Sequence, residues 1–235
     1  NKTLLYLMMK NYKTLLFDLD GVLFDFNRAQ EYTFTTCFKQ IGVEVTPSLF
    51  NHYEKINKAL WEAFELNQIT KEEVTIGRFI TLFKELNIKE NPVSFSKYYQ
   101  STLASCLFLC EGAKEILEKV SQNYRLYAIT NGVSKTAFSR LKGTDTLKYF
   151  KAVFVSEDLH AQKPSRAYFD QVMKAIENFD LETTLIIGDS LSSDIQGACN
   201  IGCDSCWISE QSQDFSKVKP TYQIKNIKEL IKILG

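Results

Sequence analysis

Apolar and polar positions along the 235-residue chain change their spacing twice. Thr14-Leu15-Leu16-Phe17 is a short apolar run ending in Asp18-Leu19-Asp20-Gly21, the pattern of a buried parallel strand that enters a loop. From about Asn27 to Cys106 strand-like runs are missing and helix starts recur. Thr46-Pro47 places an N-cap residue before a proline suited to the first helical position. Thr70 and Glu73 have the spacing of a capping box, and Asn91-Pro92 repeats the cap-then-proline device. Tyr53, Ile56, Leu60 and Phe64 fall on one helical face. This stretch predicts an all-helical unit of about four helices, resembling a four-helix bundle.

Strand patterns then return. Arg125 to Ile129, Ala152 to Val155, Thr184 to Ile187 and Ser205 to Ile208 are each short and apolar or β-rich. Helical patterns lie between them, near residues 113–121, 134–142, 165–178 and 193–200. Alternating strands and helices predict a Rossmann-like parallel α/β sheet with helices on both faces. Residues 1–24 and 107–235 are assigned to this core, and 25–106 to a helical domain inserted after the first strand.

Composition narrows the classes of function. Lys plus Arg number 28 against 28 Asp plus Glu, so there is no electrostatic footprint for a nucleic acid polymer or an anionic membrane. Leu4-Leu5-Tyr6-Leu7-Met8-Met9 is apolar but too short for a membrane span or a signal-peptide core. Met8 or Met9 is read as the natural start, and the chain as a cytoplasmic protein, monomeric or a small homo-oligomer. Six cysteines include Cys203 and Cys206, spaced like half a metal knuckle. No second knuckle with histidine follows them, so the thiols are read as small packed groups.

The chemistry gathers at the carboxyl ends of strands, where open α/β sheets place ligands. The first strand ends in Asp18 and Asp20, the second in Thr130-Asn131-Gly132, and the fourth in Gly188-Asp189-Ser190. Lys163-Pro164 opens a helix after the third, and Asp194 follows Asp189. Any one of these is an ordinary turn sequence; all of them in order, each at a strand end, are not. Carboxylates this crowded raise one another's pKa unless a cation lies among them, and hard oxygen ligands suit Mg²⁺.

These segments resemble the four motifs of the haloacid dehalogenase-like (HAD) hydrolases. Asp18-Leu19-Asp20-Gly21-Val22-Leu23-Phe24-Asp25 is similar to the first; Thr130, Lys163 and Gly188-Asp189 through Asp194 are similar to the others. The resemblance covers the whole chain, with the helical stretch where that superfamily carries its cap. It implies a phosphatase with an aspartyl-phosphate intermediate, acting on a small phosphate ester. Mg²⁺ would be held by the Asp18 carboxylate, the Asp20 main-chain carbonyl and Asp189. Lys163, the Thr130 hydroxyl and the N–H groups of Asn131 and Gly132 would bind phosphate. Asp18 would be the nucleophile and Asp20 the general acid and base, with Asp194 steering Lys163 or a water on the metal. Asp25 is assigned to the cap junction, His160 to a surface loop and His52 to the cap without a partner.

The substrate must be sought in the cap. Asn57-Lys58-Ala59-Leu60-Trp61, Gly77-Arg78-Phe79 and Cys206-Trp207 resemble the YjjG-type pyrimidine 5′-nucleotidases. Asn57, Lys58, Trp61 and Arg78 are therefore the candidate substrate contacts, with Asn57, Lys58 and Trp61 expected on one cap surface. Sugar-phosphate and N-acylneuraminate-9-phosphate phosphatases form the competing substrate class. A haloacid dehalogenase would need neither Asp20 nor Asp189, and a phospho-acceptor module would not carry the helical lid.

Overall fold

The structure is a computed structural model that describes residues 10–211 and 218–235. The apolar Leu4–Met9 segment and the start-residue assignment lie outside the described residues. Strand β1 (Thr14–Phe17) is buried at all 4 positions and pairs on both sides. Around it lie β2 (Arg125–Thr130), β3 (Phe150–Val155), β4 (Thr184–Gly188), β5 (Asp204–Ile208) and β6 (Tyr222–Ile224). These strands pair in parallel, in the order β3-β2-β1-β4-β5-β6. The chain runs outward from β1 to one edge, then returns and runs to the other. The carboxyl end of β1 therefore lies at the topological switch point.

Strand parity divides the core in two, because successive side chains point to opposite faces. Leu15, Phe17, Leu126, Ala128, Leu185, Ile187 and Cys206 join one cluster. Leu16, Tyr127, Ile129, Ile186 and Cys203 join the other. Both faces are covered, which is why these strands read as apolar runs rather than alternations. Cys203 and Cys206 thus serve opposite faces, and all six thiols are free. They cannot act as one knuckle.

The chain separates into two compact units, one of residues up to Asp25 with Leu109–Gly235, the other Phe26–Phe108. The second unit holds α1 (Phe26–Gln40), α2 (Pro47–Glu65), α3 (Lys71–Glu85) and α4 (Pro92–Ala104). Their starts follow the chemistry of the caps. Thr46 accepts from the Leu49 N–H at 3.2 Å, Thr70 and Glu73 complete a capping box, and Asn91 accepts from Ser94 at 3.0 Å. Aromatic rings fill the interior: Phe34, Phe38, Tyr53, Phe79, Phe83, Phe95 and Tyr99 are all buried.

The first unit adds α5 (Ala113–Val120), α6 (Ser134–Gly143), α7 (Arg166–Ala175) and α8 (Gln196–Ile201). Three segments differ from expectation. Helix α7 stops at Ala175, not near 178, because Ile176 turns extended and Asn178 takes φ +51°. Before α8 the chain makes a wide turn, Leu191–Ile195, closed by the Ile195 N–H on the Ser190 carbonyl at 3.1 Å. Strand β6 has no counterpart in the sequence pattern; it has only 3 residues, with Gln223 exposed. Among the described residues no helix is long and apolar enough to cross a membrane.

Candidate active site

Asp18 follows β1 directly and is 7% exposed, and Lys163 is 1% exposed. The Lys163 ammonium donates to Asp18 Oδ1 and Asp194 Oδ1, each at 2.6 Å, and to the Ile129 carbonyl at 3.3 Å. Asp194 is fully buried, and its second oxygen accepts the Ser190 N–H at 3.1 Å. Both Asp194 oxygens are thus committed to protein donors. This close approach needs glycine at 188, where a Cβ would lie 2.3 Å from the Asp194 carboxyl.

Asp18, Asp189 and Asp194 each bring a carboxylate oxygen within 4.8 Å of the other two. Gly21, at φ +77°, makes room: a Cβ there would stand 1.9 Å from Asp189 Oδ2. Burial and the charges of Asp194 and Asp189 push Asp18 well above the carboxylate range, against the pull of Lys163. Desolvation and the Asp194 charge push Asp189 up to about 7, although the residue is exposed at the mouth of the cluster. Burial alone would discharge Lys163, but Asp18 and Asp194 hold it above the usual lysine value. Three carboxylates thus gather around one ammonium, which pairs with two of them, Asp18 and Asp194. Asp18 and Asp189 offer hard carboxylate oxygens of the kind that suit Mg²⁺.

The loops are tied down by groups outside this cluster. Asn131 clamps the Lys163 backbone, its Nδ2 donating to the Lys163 carbonyl and its Oδ1 accepting the Lys163 N–H, both at 2.9 Å. The Gly132 N–H, expected to face phosphate, instead donates to the Thr130 hydroxyl at 2.9 Å. The Trp207 indole N–H donates to the Asp189 carbonyl at 2.8 Å from the buried strand β5. Groups that orient the ligands of a metal are typically worth about 10–100-fold in metal affinity. Trp207→Phe should therefore weaken Mg²⁺ binding by about 10-fold in a titration with Mg²⁺ alone. An unchanged affinity would free Asp189 from that tether.

Asp20 is held from a direction the sequence did not suggest. Arg140 on α6 donates to its Oδ1 at 2.7 Å. The sequence held a weak signal: Arg140 shares the buried stripe of α6 with Thr136, Ala137 and Leu141.

The cap candidates do not share one surface. Asn57 and Arg78 are buried, and Arg78 Nη1 donates to Asn57 Oδ1 at 2.9 Å and to the Tyr53 hydroxyl at 3.1 Å. Asn57 passes the contact on, donating to Gln30 Oε1 at 3.0 Å. Lys58 is exposed beside Glu62, and Trp61 is half-buried edge-on to Phe64. Burial of a guanidinium and an amide at these points follows the aromatic interior, which leaves them only each other and a few neighbouring polar groups as partners. His52 does have a partner, Glu85, at 2.5 Å, and His160 is exposed at the end of a one-turn helix.

Residues 15–208 match the family model of the haloacid dehalogenase-like hydrolases, and the chain belongs to that family. The HAD-hydrolase YfnB of Bacillus subtilis is 37% identical over 97% of each chain. Its magnesium-bound crystal structure superposes with a TM-score of 0.91 over 96% of this chain and 100% of that one. The pyrimidine 5′-nucleotidase PynA of Streptococcus pneumoniae is 36% identical over 95% of each chain. YjjG, the pyrimidine 5′-nucleotidase of Escherichia coli, is 29% identical over 94% of this chain and 96% of its own length.

Proposed function

We propose that this hydrolase is a Mg²⁺-dependent phosphomonoesterase acting through an aspartyl-phosphate on Asp18, with pyrimidine nucleoside 5′-monophosphates as its substrates. The buried Asp18–Lys163–Asp194 chain, with Asp20 beside it, carries this reading. Asp18, Asp189 and the Asp20 carbonyl would hold Mg²⁺, which supplies charge neutralisation at the phosphoryl oxygens. Lys163 adds a fixed positive charge without reorganisation, because its neighbours already hold the ammonium. The Thr130 hydroxyl and the N–H of Asn131 complete the phosphate cradle, and the Gly132 N–H orients Thr130.

Asp18 attacks phosphorus as the ester P–O bond breaks, and Asp20 gives its proton to the departing oxygen. Asp20 then takes a proton from water as that water attacks the phosphorus of the acyl phosphate. Free Asp18 and inorganic phosphate result. Asp20→Asn keeps the main-chain carbonyl but removes the acid, a loss of about 10²–10⁴-fold where the leaving group needs protonation. The variant should lose more on an alkyl phosphate than on p-nitrophenyl phosphate. Equal losses on both would remove the acid role.

Base recognition is read as a property of the cap, through exposed Lys58 and half-buried Trp61. Asn57 and Arg78, bonded to each other, brace the interior behind them. The compartment is read as cytoplasmic, in line with six free thiols. The nucleotide identity of the substrate is supported by the two pyrimidine 5′-nucleotidase relatives, each matched over nearly its full length. Comparing kcat/KM for UMP and dTMP with that for sugar phosphates, in Mg²⁺ and in EDTA, tests this reading. Preference for the nucleotides, lost in EDTA, is expected; preference for sugar phosphates would move the substrate to the competing class.

A further inference from the structure

Arg140 is a buried cation, its side chain 2% exposed, and among the described residues its ion pair is with Asp20. Its guanidinium lies 4.4 Å over the ring of Phe24, a residue of the same loop as Asp20. That loop is closed by the Gly21 N–H on the Phe24 carbonyl at 2.9 Å. Among the described residues, Arg140 Nε and Nη1 are buried without a hydrogen-bond partner. Leaving a buried donor unsatisfied costs stability. Its carboxylate partner is itself 28% exposed, so a buried guanidinium placed here is poor at stabilising a fold. What it does achieve is to fix one carboxyl group.

An arginine donates and never accepts. The Asp20 oxygen it engages, Oδ1, is therefore held as an acceptor, and a proton on Asp20 is left to Oδ2. That second oxygen lies at the phosphate loop: a Cβ on Gly132 would stand 3.6 Å from Asp20 Oδ2 and 3.1 Å from Thr130 Oγ1. We propose that Arg140 is a positioning residue that orients Asp20 so that Oδ2 carries the proton exchanged with the leaving group and the attacking water. In the first step the proton passes from Oδ2 to the ester oxygen as its bond to phosphorus breaks. In the second, a water proton returns to Oδ2 as the Asp18–phosphorus bond breaks and phosphate leaves. The inference rests on the phosphatase reading above.

A leaving-group series tests it, run with Mg²⁺ on p-nitrophenyl phosphate, phenyl phosphate and an alkyl phosphate. Arg140→Met keeps most of the length of the side chain and removes its donors. The ratio of kcat/KM on p-nitrophenyl phosphate to that on the alkyl ester should rise at least about 10-fold, since misplacing the acid harms only the esters that need it. Arg140→Lys, which restores one donor, should recover part of the ratio. In an Asp20→Asn background, Arg140→Met should raise the ratio no further. Parallel losses that leave the ratio within about twofold would make Arg140 structural. A further rise in the Asp20→Asn background would place its action elsewhere, and either result overturns the inference. Should Arg140→Met fail to fold, Arg140→Lys carries the same comparison. A wild-type chain inert on all three esters would remove the phosphatase reading itself, and this role with it.

Discussion

Asp18→Asn should lower kcat by at least about 10⁴-fold on every phosphate ester while leaving the unfolding midpoint close to that of the wild type. The large kinetic loss follows from the position of Asp18, the residue at which strand β1 meets both Lys163 and the acidic cluster. An amide cannot form the acyl phosphate, so no slower version of the same two-step route remains. The small structural effect follows from the surplus charge around it. The substitution removes one of three crowded carboxylates, and Asp194 still pairs with Lys163 at 2.6 Å. Steady-state rates and a denaturant titration check both halves, and near-normal Mg²⁺-dependent turnover would rule out Asp18 as the nucleophile.

Lys163→Met should be as damaging, by a different route. Among the described residues the ammonium is the one cation bonded to two buried carboxylates, and its loss leaves both without that partner. Breaking a buried ion pair from one side typically costs about 3–5 kcal/mol. The variant should also lose about 10²–10³-fold in kcat, the cost of removing one preorganised charge from a developing anion. Mg²⁺ should recover part of the stability in urea unfolding, because a cation offsets the same carboxylates. A variant as stable as wild type without metal would mean that Lys163 does not hold this cluster together.

The sheet was legible because its central strands are buried on both faces, so each is a bare apolar run such as Thr14–Phe17. The cap helices were legible because Thr46, Thr70 and Asn91 announce their own hydrogen bonds. Strand β6 was not, since Tyr222-Gln223-Ile224 has no pattern longer than itself and forms only against β5. Helix α7 reads longer in the sequence because Ile176 continues the apolar spacing; the extended backbone at Ile176 ends it.

The strand-end motifs named the residues that the structure brings together, Asp18, Lys163, Asp189 and Asp194. What spacing could not reveal was direction. Asn57 stands four residues after Tyr53 on the buried stripe of α2, so it turns inward to Arg78 rather than outward with Lys58. Arg140 and Trp207 reach in from elements distant in sequence and bond Asp20 and the Asp189 carbonyl. No local pattern encodes such pairings, because they exist only once the strand ends have been gathered on one rim.

The covalent step can be caught directly. Enzyme turning over an alkyl phosphate in Mg²⁺ is quenched in acid and reduced with borohydride, which converts an aspartyl phosphate to homoserine. Peptide mass spectrometry should then find homoserine at position 18, and none when EDTA replaces Mg²⁺. Homoserine at another aspartate, or an unmodified Asp18 peptide from fully active enzyme, would contradict a phosphatase working through Asp18.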